Sequence, residues 1–180
     1  MFVDLVPASC WFTNVRSCVS SVDWARLRRP VLSRARHRCE ACGNGEDRRA
    51  RRWLEVHERW HYDEPGGVQA LRRLICLCSP CHLVTHFGYA NVTGRTDEAF
   101  AHLRRVTGMN QPQAWRHVHD AEQVWLRRSE QVWELDLGML TGAGIAVRRP
   151  EPAEQRLAVA EEALRRADPP ATRSARGHSA

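Results

Sequence analysis

Two cysteine pairs, Cys39-Glu-Ala-Cys42 and Cys78-Ser-Pro-Cys81, constrain this chain more than any other feature. A two-residue gap lets both sulfurs of a pair turn toward one ion, and zinc takes four thiolates tetrahedrally. Gly43 eases the first turn, and Cys78-Ser-Pro-Cys81 reads as a second tight turn. The expectation is a structural zinc held by Cys39, Cys42, Cys78 and Cys81. Cys76 offers an extra sulfur, because in a strand it shares a face with Cys78. Cys78 is preferred because its spacing to Cys81 repeats that of the first pair. Seven cysteines is an odd number, a poor basis for a disulfide framework, and Cys10 and Cys18 read as ordinary buried thiols.

Between and after the pairs, histidines recur in a metal-ligand pattern. His82 follows the last cysteine and His86 lies four residues on, so a helix there would put both imidazoles on one face. Trp53 to His57 alternates as a short strand, with Leu54 and Val56 against Trp53, Glu55 and His57. Together His57, His82 and His86 suit a second, open site for a divalent ion.

The rest of the chain frames this part. Asp23 to Arg36 has helical spacing, with Pro30 expected to kink or split it. Asp63 to Gly67 reads as a loop, Leu71 to Leu77 as a buried strand, and His82 to Phe87 as one or two helical turns stopped by Gly88. Thr96 is expected to cap a helix to Thr107, and Asn110 a longer one in which Trp115, Val118, Trp125 and Val132 share a packing face. Gly138 to Gly144 reads as a breaker, Pro152 to Ala167 as a charged helix, and Asp168 to Ala180 as disordered. The expected organisation is an N-terminal segment at 1–22, a metal-bearing domain at 23–94, a helical extension at 95–149 and a charged helix with tail at 150–180.

Charge points to a polyanion. The net charge is +6, and all 27 basic residues are arginine. Ten fall between Trp24 and Arg52 against three acids (Glu40, Glu46 and Asp47), a field that favours phosphates. Arg36, Arg38, Arg48, Arg49, Arg51 and Arg52 are the candidate backbone contacts. No apolar run is long enough to span a membrane and no secretory leader is recognisable, so a cytoplasmic location is expected.

Residues 24–90 resemble the zinc-supported His-Asn-His (HNH) endonucleases. The resemblance is carried by Cys39-x-x-Cys42-Gly43, Leu54-Glu55-Val56-His57, Leu74-Ile75-Cys76-Leu77-Cys78-x-x-Cys81-His82 and His86. It implies a small α+β protein with a ββα-metal core and flanking helices: a β-hairpin on a helix, one divalent metal between them, and a four-cysteine zinc knuckle pair tying their ends. It implies cleavage of phosphodiester bonds and favours duplex DNA as partner. His57, His82 and His86 would hold a catalytic Mg2+, Mn2+, Ni2+ or Zn2+. The residue after the strand ligand is the general base in the family; here it is Glu58, with His61 on the following loop as a further candidate. A shift of one residue would instead make His57 the base. The position of the family asparagine is held by Arg73. Two other readings of the same residues are a noncatalytic zinc-ribbon nucleic-acid-binding or adaptor protein, and a scaffold whose tryptophan-bearing helices dock a partner.

Overall fold

A computed structural model describes residues 1–11 and 14–167, with side chains to 162; the tail from Asp168 to Ala180 lies outside the described residues. The protein is mixed α+β, built on a three-stranded sheet in the order β1-β2-β3. Strands β1 (Leu54–Asp63) and β2 (Val68–Cys78) form an antiparallel hairpin, and β3 (Glu134–Asp136) adds to β2 in parallel. β1 is therefore an edge strand.

β1 extends well past His57, because β2 pairs with it in register from Leu54↔Cys78 to Asp63↔Val68. The register slips between Arg59 and Trp60, where Arg59 faces Arg73 and Trp60 faces Leu71. Arg72 is the extra residue, a bulge on β2. It explains how Leu71 and Leu74, three apart, are both buried while Arg72 and Arg73 are both exposed. From Leu74 to Cys78 every residue of β2 is buried, so both faces of that stretch are covered.

One face is covered by α1 (Val15–Cys18) and α2 (Ser21–Arg34), which contribute Val15, Cys18, Val31 and Leu32 to the core with Leu54, Leu74 and Cys76. Pro30 neither ends nor divides α2; it is exposed, so the carbonyl it leaves unpaired one turn earlier lies on the solvent side. On the other face sit α3 (Ser79–Thr85) and α4 (Phe87–Val92). Gly88 does not stop this helical stretch. The break falls at His86, whose ψ of 53° interrupts the helix before Phe87.

Helices α5 (Thr96–Thr107) and α6 (Gln111–Ser129) pack on α3 and α4 through Leu83, Val84, Phe87, Ala99, Leu103, Ala114 and Val118. Thr96 is the first residue of α5 and not its cap; Arg95 holds that position and its side chain makes no capping bond. Asn110 does cap α6, accepting the Gln113 N–H at 3.0 Å while Gln113 reaches back. Of the α6 face read from the sequence, Val118 is buried and Trp115 stacks on Phe100, but Val132 lies beyond the helix. Residues 138–144 hold a short helix, α7 (Gly138–Thr141), because Leu140 is buried in the main core. The last helix, α8 (Ala153–Ala167), is anchored by Arg156, whose buried guanidinium donates to the Trp133 carbonyl at 2.7 Å. Among the described residues no helix is long and apolar enough to cross a membrane.

Leu77 is fully buried between these layers. Leu77→Ala is expected to cost about 2–5 kcal/mol in a urea titration, whereas His61→Ala, on the exposed part of β1, should leave the midpoint unchanged.

Candidate metal centres

The 39–42 turn is held against β2 by its backbone. The Glu40 N–H donates to the Cys76 carbonyl at 2.8 Å, the Cys39 N–H to Asn44, and the Gly43 N–H back to the Cys39 carbonyl. Gly43 has φ of +75°, the left-handed conformation that glycine adopts without strain. The Glu40 carboxylate accepts from Arg34, Arg73 and the Cys76 N–H, fixing the turn to the strand. Cys78 ends β2 and caps α3, and Cys81 lies in the first turn of that helix.

This brings Cys39, Cys42, Cys78 and Cys81 together, with sulfurs within 4.8 Å of one another. Tetrahedral sulfurs about 2.3 Å from zinc stand roughly 3.8 Å apart, and Cys42 and Cys78 are at 3.6 Å. The four thiols could hold a structural metal such as zinc. Cys76 is buried but outside the group, as the spacing argument prefers. The neighbouring Cys78 and Cys81 thiols lower the Cys39 pKa, and proximity to Cys39 raises that of Cys78 to about 12. Cys10 and Cys18 are buried thiols whose pKa values rise with desolvation.

The second group is formed across the hairpin and α3. Leu54 and Val56 pack in the main core, so Glu55 and His57 face α3. His82 and His86 meet His57 there, and one ligand nitrogen of each lies within 4.8 Å of the others. The three rings are mutually edge-on, with centroids 4.6–5.2 Å apart and planes at 73–84°. His82 Nδ1 is 3.1 Å from Glu55 Oε2, which leaves Nε2 as its free ligand atom. The His82 bond also lowers the Glu55 pKa.

His57 is buried, and neither of its ring nitrogens has a hydrogen-bond partner among the described residues. A buried imidazole without partners is costly, and a cation facing it would remove the cost. Desolvation first, then His86 and His82, bring its pKa down to about 2; burial and His82 bring that of His86 to about 4. Neutral imidazole is the form that binds metal. The residues present thus fit a divalent ion.

The remaining candidates divide. Glu58 faces away from the histidines but its carboxylate accepts the Val15 N–H at 3.0 Å and lines the same cavity as His57, His82 and His86. Desolvation raises its pKa. His61 is not on a loop. It lies within β1, four residues past His57, which is about 13 Å along a strand, and it is exposed and outside the cavity lining. Arg73 is occupied by Glu40.

The arginines divide as well. Arg52 donates to the Gly45 carbonyl at 2.8 Å and pairs with Asp47, and Arg38 donates to Gly43. These two hold the 43–52 loop. Asp47 also accepts the Arg49 and Ala50 N–H groups, closing a tight turn. Arg36, Arg48, Arg49 and Arg51 are exposed and make no ion pair with a described residue, and Arg51 lines the histidine cavity.

Three neighbours lie beyond what the sequence motifs mark. Glu55 has a signal, since it shares strand parity with His57. His102 of α5, with Nε2 3.2 Å from Cys81 Sγ, sits in the stripe Ala99, Leu103 and Val106. Arg59, stacked under Phe2 and paired with Asp4 beside His57, has none. Comparison with protein-family models, with curated proteins and with solved structures found no match.

The depressed imidazole pKa values set a pH dependence. Unfolded histidine titrates near 6.5, so as pH falls below that value the unfolded chain takes up protons that folded His86 refuses until about 4 and His57 until about 2. Their stabilisation is complete above pH 6.5 and is lost progressively below it. In chelator-treated protein, the fall in Tm between about pH 7 and 4.5 should be shallower for His57→Phe than for wild type. Parallel curves would contradict the assignment.

Proposed function

We propose that this protein is a metal-dependent endonuclease of the HNH kind, hydrolysing phosphodiester bonds in nucleic acid, with duplex DNA as the preferred substrate. In this reading β1, β2 and α3 are the ββα-metal core. The observation that carries it is buried His57, with no partner for either nitrogen, facing His82 and His86.

A divalent ion such as Mg2+, Mn2+, Ni2+ or Zn2+ held by the three imidazoles would supply Lewis acidity toward the scissile phosphate and the leaving oxygen. The protein supplies the rest. Glu55 holds the His82 ring in one tautomer. Glu58 stands in the family's base position; it lies on the other face of β1 but lines the same cavity, and burial, which raises its pKa, makes it the candidate to take the proton of the attacking water. Arg51 at the cavity, with Arg48, Arg49 and Arg36, engages backbone phosphates and contributes position without reading bases. Arg38 and Arg52 preorganise the loop that presents them. The four-thiol site would fix the 39–42 turn to the junction of β2 with α3.

A noncatalytic, zinc-stabilised nucleic-acid-binding protein is the second reading. It is favoured by Arg73, which stands in the asparagine position and is committed to Glu40.

Supercoiled plasmid separates the two. The nuclease reading expects nicking with Mg2+, Mn2+, Co2+ or Ni2+ and none in EDTA. His57→Ala should abolish it, and Glu58→Gln should lower the rate by about 100-fold or more. Arg49→Ala should weaken binding uniformly across sequences and reduce the salt slope by about one. Salt-sensitive binding without cleavage in any of the metals would select the second reading.

A further inference from the structure

We propose that His102 donates its Nε2–H to the sulfur of Cys81 and thereby makes helix α5 part of the thiolate metal site. This inference rests on Cys39, Cys42, Cys78 and Cys81 as a zinc site and not on the nuclease reading, so either can fail alone.

Four thiolates around Zn2+ carry a net charge of −2, and burying that charge calls for N–H donors on the sulfurs. Local backbone supplies some. The Ala41 and Cys78 N–H groups are directed at Cys39 sulfur, and that of Cys81 at Cys78 sulfur. At Cys81, itself fully buried, the donor comes from a distant helix. His102 Nε2 lies 3.2 Å from its Sγ, across 21 residues of chain, and His102 is 7% exposed.

The placement is not what packing alone would choose. Ala99, Leu103 and Val106 form the stripe by which α5 meets the rest of the protein, and Ala99 and Leu103 are fully buried. A leucine at 102 would extend that stripe without the cost of burying a polar ring. A neutral imidazole carries one N–H, and a thiolate can only accept. The Nε2–H tautomer is therefore the one that fits. Outer hydrogen bonds of this type typically change metal retention by about 10–100-fold. The α5 helix lies outside residues 24–90, so the contact joins the helical extension to the knuckle pair.

Two measurements on the full-length chain test the assignment. First, zinc transfer to a chromogenic chelator should be about 10-fold faster for His102→Phe, which fills the space without a donor, and close to wild type for His102→Gln, which keeps an N–H. Equal transfer rates in all three proteins, or a Gln variant as leaky as the Phe variant, would overturn the proposal. Second, in wild-type protein substituted with cadmium, nitrogen NMR should show an Nε2-protonated His102 ring coupled to the metal across the N–H···S bond. An Nδ1–H tautomer, a ring bonded directly to the metal, or a chain that retains no metal would each overturn it. The second measurement needs no variant, so a His102→Phe protein that fails to fold leaves the test intact.

Discussion

The convergence of four sulfurs is the constraint on which the rest depends. Residues 36–53 are arginine-rich and mostly exposed, with a single short bridge between Asp47 and Arg52, so this stretch buries little that could hold it in place. Cys39 and Cys42 give it a fixed end, and Cys78 and Cys81 give that end a partner at the junction of β2 with α3. The same junction sets the direction of α3. With Cys81 turned to the other three sulfurs, His82 and His86 point at β1, where His57 lies on the hairpin. The four thiols and the three imidazoles are therefore parts of one piece of geometry, adjoining where His82 follows Cys81 directly in the chain.

Charge is distributed differently around the two groups. The protein is strongly basic, yet His57 and His86 are neutral because burial and mutual repulsion disfavour their protonation. The one carboxylate bonded to the group, Glu55, orients His82 through its Nδ1 and leaves the other ring nitrogen to the site. Arginines with structural duties (Arg34, Arg38, Arg52 and Arg156) donate to carbonyls and acids, whereas Arg36, Arg48, Arg49 and Arg51 are left facing solvent. In the proposed reading these four are the ones that meet backbone phosphates.

Much of the site is legible in residue spacing because its geometry is local. Cys-x-x-Cys turns and a histidine pair one helical turn apart state their own convergence, and Leu54 and Val56 fix the face of His57 by strand parity. What spacing does not give is contributed by long-range packing. The alternation that marks β1 fades after His57; the pairing partner, with its bulge at Arg72, carries the strand to Asp63 and takes His61 away from the site. Gly88 has the composition of a stop, but α4 is held by Phe87 and Ala90 in the second core and runs through it. Thr96 has the chemistry of a cap, yet the chain enters α5 one residue earlier. His102 and the short parallel strand at Glu134–Asp136 reach their places only through tertiary contacts, and nothing adjacent in sequence announces them.

Cobalt titration of the metal-stripped, full-length chain tests the central claim most directly, since thiolate and imidazole ligands give different spectra. Two classes of site are predicted. The first equivalent should give intense near-ultraviolet sulfur-to-metal charge transfer with tetrahedral visible bands. The second should add weak visible absorption without charge transfer, and only that second phase should vanish in His57→Ala. Saturation at one equivalent, or a second phase indifferent to His57, would contradict the account.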